Sequence, residues 1–380
     1  MSQASLFPPR FPAEEYRTRL ATLRKVMADR NIDLLIVDQF EHINYFAGYW
    51  STAAMYHALL IPLDNEPIAV IRTLDATVFE ESSWLKDCVT FRDDQNSVRI
   101  VAETIITRGY GTSSIGLELD SNFLTVNRAN EVRALLPGAK FVDFSAVMWE
   151  MRQSKSPLEL TYLEVAAGIC DRATAAAFDV ARAGVNEREV FAAMTSEAWR
   201  SGADSGLGLS AVMSSGPRST MLHASLGNRT LTEGDIVHVE PLPSFRGYSA
   251  RMQRPKSIGV PTDEQMRTAE TMIGIQNEQY RAMKPGEDAR QVDRIVREGL
   301  LATGLRDTYA NITGYTLGLV SIPRISDFTR VFHPGSAWKL QQNQTFHMYT
   351  SAGGMSFSET IVVTHEGGKR LTKTDRRLFC

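Results

Sequence analysis

The stretch GDIVHVEPLPSFRGYSARMQR, residues 234–254, decides the fold of the second half of this chain. The apolar run Asp235–Glu240 predicts a buried strand, and Ser249–Ile258 predicts another after a turn that contains proline and glycine. Further strands are predicted over Leu209–Met213, Thr345–Tyr349 and Phe357–Thr364. Because Glu240 lies in an otherwise apolar strand, its carboxylate needs a partner if it is buried.

Helices surround these strands. They are predicted over residues 157–183, from about residue 186, over 263–283 and over 288–303. Ser156, Pro157 and Glu159 form a capping-box pattern at the start of the first helix. Upstream of it, helical stretches alternate with strands and with a hairpin over Ala58–Pro62 and Pro67–Arg72. The pattern predicts an α/β domain over residues 1–152 and an α+β domain over residues 153–380.

Composition excludes several classes of protein. The 380 residues carry 41 Lys+Arg and 44 Asp+Glu, so a net charge of −3 provides no basic surface for nucleic acid. No apolar run is long enough to span a membrane, and the first residues do not resemble a signal peptide. The three cysteines, Cys88, Cys170 and Cys380, are too scattered for a disulfide framework or a zinc site. We expect a cytoplasmic protein.

Three blocks of sequence occur together in the order and spacing of one superfamily. They are Leu222-His223 with residues 234–254, the block 313–318 that reads TGYTLG, and the block 358–364 that reads SETIVVT. Over essentially its whole length the chain resembles the pita-bread superfamily of aminopeptidase P, prolidase and creatinase. The resemblance implies an α/β N-terminal domain, an α+β pita-bread catalytic domain and a homodimer.

The chain departs from the peptidases of this superfamily at the metal site. The resemblance implies that peptidases hold two metal ions with two Asp, one His and two Glu, and the matching positions here are Glu240, Arg251, Tyr315, Tyr349 and Ser358. A guanidinium has no lone pair for a metal and keeps a fixed positive charge. Two cations about 4 Å apart repel by roughly 4 kcal/mol at a dielectric constant of 20. The sequence therefore predicts an enzyme without metal or other cofactor.

Within the superfamily, creatinase and ectoine hydrolase work without that metal pair. Creatinase has a histidine at the position of His223, which this chain keeps, but its acidic residues at Gln253 and Tyr349 are absent. The ectoine hydrolase pattern has Glu at 240, Tyr in the TGYTLG block and an acidic residue at 359. The chain therefore resembles ectoine hydrolase more closely than creatinase.

Both substrates of these relatives contain a planar carbon between two nitrogens, together with a carboxylate. Their hydrolysis needs a nucleophile or base, and an acid for the leaving nitrogen. We predict that His223 moves the proton, and that Glu240, on a neighbouring strand, pairs with the amidinium or attacks it. A guanidinium can bind the substrate carboxylate through two hydrogen bonds. The predicted substrate contacts are Arg251, Arg254, Arg324 or Arg330 to the carboxylate, Tyr315 and Tyr349 as hydrogen-bonding groups, and Glu359 to a second nitrogen.

Each of these residues also has a structural explanation. Glu240 and Glu359 can form internal ion pairs with arginine, and the tyrosines can be core residues. The leading prediction is a metal-independent hydrolase of a C–N bond in a small cyclic amidine, ectoine or 5-hydroxyectoine, with a small molecule as its only partner besides a second copy of the chain. The alternatives are another guanidino or amidino hydrolase, and a non-catalytic scaffold that has lost a metallopeptidase site.

Overall fold

The computed structural model of the protein describes residues 10–50, 55–204, 211–321, 324 and 326–380. The chain divides into two compact units, Met1–Met151 and Arg152–Cys380. The division lies one residue before the position that the sequence predicts. Residues Leu209 and Ser210 of the predicted strand Leu209–Met213 lie outside the described residues, and so do the first nine residues of the chain.

The first unit alternates helices and strands around one mixed six-stranded sheet. The order of the strands across the sheet is β4-β3-β2-β1-β5-β6. Strands β1 and β5 are parallel, whereas β2 is antiparallel to both β1 and β3. The elements are α1 (Ala13–Asp29), β1 (Leu34–Val37), α2 (Phe40–Ala47), β2 (Ala58–Pro62), β3 (Ile68–Arg72), α3 (Ala76–Ser82), β4 (Cys88–Phe91), α4 (Ser97–Thr107), β5 (Ser114–Leu117), α5 (Val126–Leu135), β6 (Lys140–Asp143) and α6 (Val147–Met151).

The core of this unit follows from helical and strand periodicity. In α4, Val98, Val101 and Ile105 fall on one face of the helix and are buried. They join strand residues such as Leu34 and Ile115 in a single apolar cluster. All four residues of β1 are buried, as expected for a strand at the centre of the sheet. The predicted α/β architecture and the hairpin of β2 and β3 are confirmed.

The second unit places helices against two larger antiparallel sheets, besides a small sheet of only two strands. One sheet has the order β11-β8-β7 and the other the order β13-β12-β14-β15-β16. Its elements are α7 (Pro157–Val180), α8 (Glu187–Arg200), β7 (Ala211–Ser215), β8 (Ile236–Pro241), β9 (Ser244–Phe245), β10 (Tyr248–Ser249), β11 (Arg254–Ser257), α9 (Asp263–Ala282), α10 (Ala289–Ala302), β12 (Gly314–Thr316), β13 (Val331–Phe332), β14 (Thr345–Ala352), β15 (Met355–Thr364) and β16 (Gly367–Arg370).

Two local features of this unit agree with the sequence. The side chain of Ser156 accepts a hydrogen bond from the Glu159 backbone, and Glu159 binds the Ser156 backbone in return, so the predicted capping box is confirmed. Strands β14 and β15 form a long hairpin, with Ala352 paired to Met355 across a two-residue turn. That turn is Gly353-Gly354, with φ of 57° and 75°. Glycine suits this tight turn because both positions need positive φ.

The two sheets of the second unit meet at one backbone bridge. Gln253, just before β11, pairs with Ser358 of β15. The Gln253 N–H also donates to the Ser358 hydroxyl at 2.8 Å. The bridge brings the end of β8 close to the middle of β15, which pairs with β14, and thereby positions the candidate site.

Several short elements were not predicted, among them α2, β12, β13 and β16. Each is too short for a periodicity of its own, and β12 and β13 exist because neighbouring strands supply their hydrogen bonds. Within the described part of the chain, no helix has both the length and the apolar character needed to cross a bilayer.

Candidate active site

Strand pairing brings together several of the positions that the resemblance assigns to metal ligands. Tyr315 of β12 lies opposite His347 of β14, and Tyr349 lies opposite Ser358 of β15. Because side chains alternate along a strand, His347 and Tyr349 share one face of β14. Glu240, at the end of β8, reaches this cluster through Gln253.

Glu240 is buried and held by two donors. The side-chain amide of Gln253 donates to Oε2 of Glu240 at 2.8 Å. Nη1 of Arg251 lies 3.4 Å from Oε1. Only 3% of Glu240 is exposed, so these contacts replace the water that would otherwise stabilise its charge. The carboxylate is thus both oriented and electrostatically balanced.

Arg251 occupies the centre of the cluster. Its guanidinium donates to the hydroxyl of Tyr315 at 2.7 Å and to the hydroxyl of Ser326 at 2.7 Å. The backbone of Arg251 exchanges two 2.9 Å hydrogen bonds with the side chain of Thr360 on β15. These contacts hold the cation beside Glu240.

A buried histidine extends the network. Nδ1 of His347 lies 2.8 Å from the Tyr315 hydroxyl, and Nε2 lies 2.6 Å from the Ser358 hydroxyl. Burial lowers the pKa of His347 well below its usual value, so the ring is neutral. Since the Tyr315 oxygen accepts from Arg251, its own proton is available for Nδ1, and we assign the remaining ring proton to Nε2. Burial also raises the pKa of Tyr315, which keeps the phenol protonated.

These residues do not fit the two metal ions that peptidases of this fold hold. Of the five matching positions only Glu240 is a carboxylate, and the guanidinium of Arg251 lies 3.4 Å from it. A divalent ion beside Glu240 would face that fixed positive charge without the anionic ligands that offset it. Nowhere in the described residues do three or more His, Cys, Asp or Glu side chains gather in a metal-binding arrangement.

Arg254 and Glu359, two of the predicted substrate contacts, bind each other instead. Nη2 of Arg254 lies 2.7 Å from Oε1 of Glu359, and neither side chain is exposed. The other Arg254 donors bind backbone carbonyls of Gln253, Ser358, Thr374 and Asp375. Every N–H of this guanidinium is used within the protein, so the structural explanation is the one that the geometry supports.

Three further predicted contacts lie in different surroundings. Tyr349 is half-buried, and its hydroxyl accepts from the side chain of Asn311 at 3.3 Å. Arg324 lies 3.8 Å from Asp327, close in sequence to the Ser326 that binds Arg251. The guanidinium of Arg330 lies 5.9 Å from the ring centre of Trp338. Tyr349 is therefore part of the cluster, whereas the roles of Arg324 and Arg330 stay predictions.

The sequence analysis placed His223 on a strand next to that of Glu240, and this prediction is wrong. It is exposed in a turn between β7 and β8, beside Leu222. The strand that does pair with this part of β8 is β7, where Val212 lies opposite Glu240. His223 lies in the long connection that follows β7. Its role as a proton shuttle stays a prediction.

Sequence reasoning missed His347, Gln253 and Asn311 as members of the site. The spacing of His347 from the other histidines is not that of a metal-binding motif, so histidine spacing does not identify it. A better signal was its position: two residues before Tyr349 on the same strand, it must share the face of that residue. Asn311 and Gln253 carry no comparable signal, because their partners come from other strands.

Comparison with known proteins agrees with this architecture. The family model for metallopeptidase family M24 matches residues 161–365, and the creatinase/prolidase N-terminal domain model matches residues 19–154. The chain therefore belongs to metallopeptidase family M24, a family of hydrolases with the pita-bread fold, and the predicted fold class is confirmed.

Individual relatives have different activities. Ectoine hydrolase from Halomonas elongata is 24% identical, covering 97% of this chain and 98% of that protein. Xaa-Pro dipeptidase from Pyrococcus furiosus is 26% identical, covering 96% and 100%. The prolidase structure from Thermococcus sibiricus has a TM-score of 0.84 at 20% identity, over 96% of this chain and 98% of that one. The structural likeness shows the fold alone.

Proposed function

We propose that this protein is a metal-independent hydrolase of a C–N bond in a small cyclic amidine, with ectoine or 5-hydroxyectoine as the substrate. One observation carries the proposal: the guanidinium of Arg251 lies 3.4 Å from Glu240, at positions where peptidases of the fold place metal ligands. The similarity to an ectoine hydrolase over nearly the whole chain supports the choice of substrate.

In this proposal Glu240 acts on the amidinium carbon. Its carboxylate either stabilises the cation while water attacks, or attacks the carbon itself and is released by water afterwards. In both routes the oxygen of water ends on the carbon, and a proton reaches the leaving ring nitrogen. His223 carries that proton, and ectoine gives N-acetyl-diaminobutyrate.

Arg251 and the aromatic residues position the reacting groups. Arg251 orients Glu240, and His347 orients the hydroxyl of Tyr315. The pKa of Tyr315 is raised by burial, so the phenol donates a hydrogen bond and does not act as a base. Tyr349, whose pKa burial also raises, presents a second protonated hydroxyl near the surface of the cluster.

A panel of substrates tests the proposal. Purified protein is incubated with ectoine, hydroxyectoine, creatine and Xaa-Pro dipeptides, and the products are identified by mass spectrometry. We expect N-acetyl-diaminobutyrate from ectoine after exhaustive dialysis against a chelator. Failure to open either cyclic amidine removes the proposed substrate. Recovery of dipeptide cleavage on addition of two equivalents of Mn²⁺ or Zn²⁺ per chain would overturn the metal-free mechanism.

A non-catalytic scaffold is the second candidate, and a specific observation favours it. Arg251 already binds Tyr315, Ser326 and Glu240, so the internal network balances its own charges without a substrate. Calorimetric titration separates the two candidates, since a scaffold that has lost its site binds none of the panel. Binding and turnover of a cyclic amidine support the enzyme.

The proposed function also implies partners, an oligomeric state and a cellular location. We infer a small-molecule substrate, a homodimer and a cytoplasmic location, without nucleic acid or membrane as partner. Size-exclusion chromatography with light scattering tests the oligomeric state, and twice the 42.3 kDa chain mass is the expected result.

A further inference from the structure

A cavity of about 210 Å³ in the second unit contains an arginine that the sequence did not single out. The cavity is lined by Arg306, Ser219, Leu222, Ser351 and the turn glycines Gly353 and Gly354, among others. Its size suits part of a small molecule. The neighbour of Leu222 in sequence is His223, so the wall of the cavity leads to the predicted proton shuttle.

The cavity continues the face of β14 that carries the candidate active site. Tyr349 and Ser351 are two residues apart on this strand, so they point to the same side, about 7 Å apart along it. Asn311 joins the two places, because its side chain accepts from Arg306 at 3.1 Å and donates to the hydroxyl of Tyr349 at 3.3 Å. A ligand can therefore contact the cluster and the cavity together.

The charge of Arg306 is not balanced by any acidic group that the structure describes. Across the described residues, no carboxylate lies within ion-pair distance of its guanidinium. The guanidinium stacks 4.1 Å from the ring centre of Tyr309, and its Nη1 is shielded from solvent and has no hydrogen-bond partner among the described residues. Buried donors in proteins are normally satisfied, so this nitrogen is available to an acceptor that a bound ligand brings into the cavity.

Glycine in the turn between β14 and β15 allows a close approach of Ser219 at the cavity wall. A Cβ atom on Gly354 would lie 2.5 Å from the hydroxyl oxygen of Ser219, a distance that requires a shift. Both turn residues also have positive φ. Glycine at this turn therefore lets Ser219 approach and contribute its hydroxyl to the wall.

The other arginines near the site have partners already. Every N–H of the Arg254 guanidinium is hydrogen-bonded within the protein. Arg251 binds Glu240, Tyr315 and Ser326. Arg324 lies 3.8 Å from Asp327. Arg306 thus combines a cavity, an unbalanced charge and an unsatisfied donor.

We propose that this cavity binds the carboxylate of a small-molecule substrate, with Arg306 as its cation and the hydroxyls of Ser219 and Ser351 as supporting donors. Arg306 then determines specificity for acids over neutral analogues. The identity of that acid rests on the proposed function, whereas the carboxylate site itself does not. The bound carboxylate can belong to either of two substrates, a cyclic amidine acid or a Xaa-Pro dipeptide.

Propionate tests the site without catalysis. Its dissociation constant is measured by ligand-observed NMR titration against wild type, Arg306→Gln, Arg306→Lys and the control Arg294→Gln. Arg294 is an exposed residue of α10. Loss of a charge-assisted hydrogen bond weakens binding by roughly 10- to 100-fold. We expect this for Arg306→Gln, partial retention for Arg306→Lys and no change for Arg294→Gln. Equal affinity in wild type and Arg306→Gln would overturn the inference.

Kinetics identify the source of the carboxylate. Ectoine, its neutral carboxamide and a Xaa-Pro dipeptide are compared in wild type and Arg306→Gln. We expect KM for ectoine to rise about 10- to 100-fold with kcat nearly unchanged, and KM for the carboxamide to stay the same. An equal loss for ectoine and the carboxamide contradicts carboxylate recognition. If the wild-type protein opens no cyclic amidine but its binding of propionate still depends on Arg306, the proposed function is wrong and the carboxylate site is supported.

Discussion

Two buried arginine–carboxylate pairs of this protein differ in what surrounds them. The pair of Arg254 and Glu359 is fully enclosed, and Glu359 also receives Arg370 and Arg376 at 3.3 and 3.4 Å. The pair of Arg251 and Glu240 is longer, at 3.4 Å, and Arg251 also binds the hydroxyls of Tyr315 and Ser326. The first pair therefore supports stability, and the proposed function assigns the second pair to chemistry.

Replacing Glu240 by Gln should lower turnover of the amidine substrate by at least two orders of magnitude. The amide keeps the shape of the side chain but removes the negative charge that acts on the amidinium. Initial rates are measured by product mass, and circular dichroism checks the fold. The exposed Glu366→Gln is the matched control. Wild-type turnover in Glu240→Gln would remove Glu240 from the mechanism.

Replacing Arg254 by Met should destabilise the protein by about 3–5 kcal/mol, because it leaves Glu359 buried with fewer partners. The free energy of unfolding comes from urea titration followed by fluorescence. Arg294→Met, which removes an exposed ion pair with Glu298, should change it far less. If Arg254→Met folds as stably as wild type and only raises KM, Arg254 contacts substrate after all.

At the scale of single elements, the start of α7 combines local and tertiary contacts. Glu159 uses one carboxylate oxygen to cap the helix through the Ser156 backbone at 2.9 Å. The other oxygen accepts from the hydroxyl of Tyr248 in β10 at 2.7 Å. The capping box was readable in the sequence, whereas the contact with Tyr248 was not.

Ser156→Ala should therefore cost about 1 kcal/mol, the usual value of a lost N-cap. Glu159→Ala should cost clearly more, because it also leaves the buried hydroxyl of Tyr248 without its acceptor. Urea unfolding of both variants gives the comparison. Equal costs would show that the contact with Tyr248 contributes nothing to stability.

Strand β8 carries a buried histidine that should make stability depend on pH. Burial lowers the pKa of His238 to about 4 from an ordinary 6.5, so the folded protein keeps it neutral. Below pH 6.5 His238 binds a proton in the unfolded chain but stays neutral in the folded chain. The free energy of unfolding therefore falls as the pH drops toward 4.

His238→Leu should flatten this dependence by up to about 1.4 kcal/mol per pH unit between pH 6.5 and 4. The free energy of unfolding is measured by urea titration at several pH values. The exposed His365→Gln serves as the control and should follow wild type. If the free energy of unfolding depends on pH in the same way in His238→Leu and wild type, His238 does not have the lowered pKa that burial implies.

At the scale of the whole molecule, the effect of ligands on thermal stability should distinguish a metal-free enzyme from a metallopeptidase. A ligand at 100 times its Kd stabilises the folded state by about 2.7 kcal/mol. Differential scanning fluorimetry should therefore show a higher Tm with ectoine and no change with Mn²⁺. The chelator-treated protein is the reference. A rise with Mn²⁺ and none with ectoine would favour a metallopeptidase.

Much of the fold was predictable, because long periodic segments report their own structure. The helices of the second unit, the hairpin of the first and the block pattern of the superfamily are all contained in local sequence. The short strands β12 and β13 were not, since their hydrogen bonds come from partners far away in the chain. For the same reason Arg306 and Asn311 were not recognised as neighbours of Tyr349, and His347 was not recognised as a neighbour of Tyr315.

The sequence by itself determined the architecture and the family, because these depend on residue types in a fixed order, and from the same order it predicts that Arg251 and its neighbours stand at metal-ligand positions. Only the tertiary structure decided which charges balance one another. Arg254 and Glu359 form an internal ion pair, and His223 lies in an exposed turn. Arg306 borders a cavity and has no acidic partner within the part of the chain that the structure describes. Ionic and hydrogen-bonding partners are set by distances across strands, and no residue pattern along the chain contains those distances.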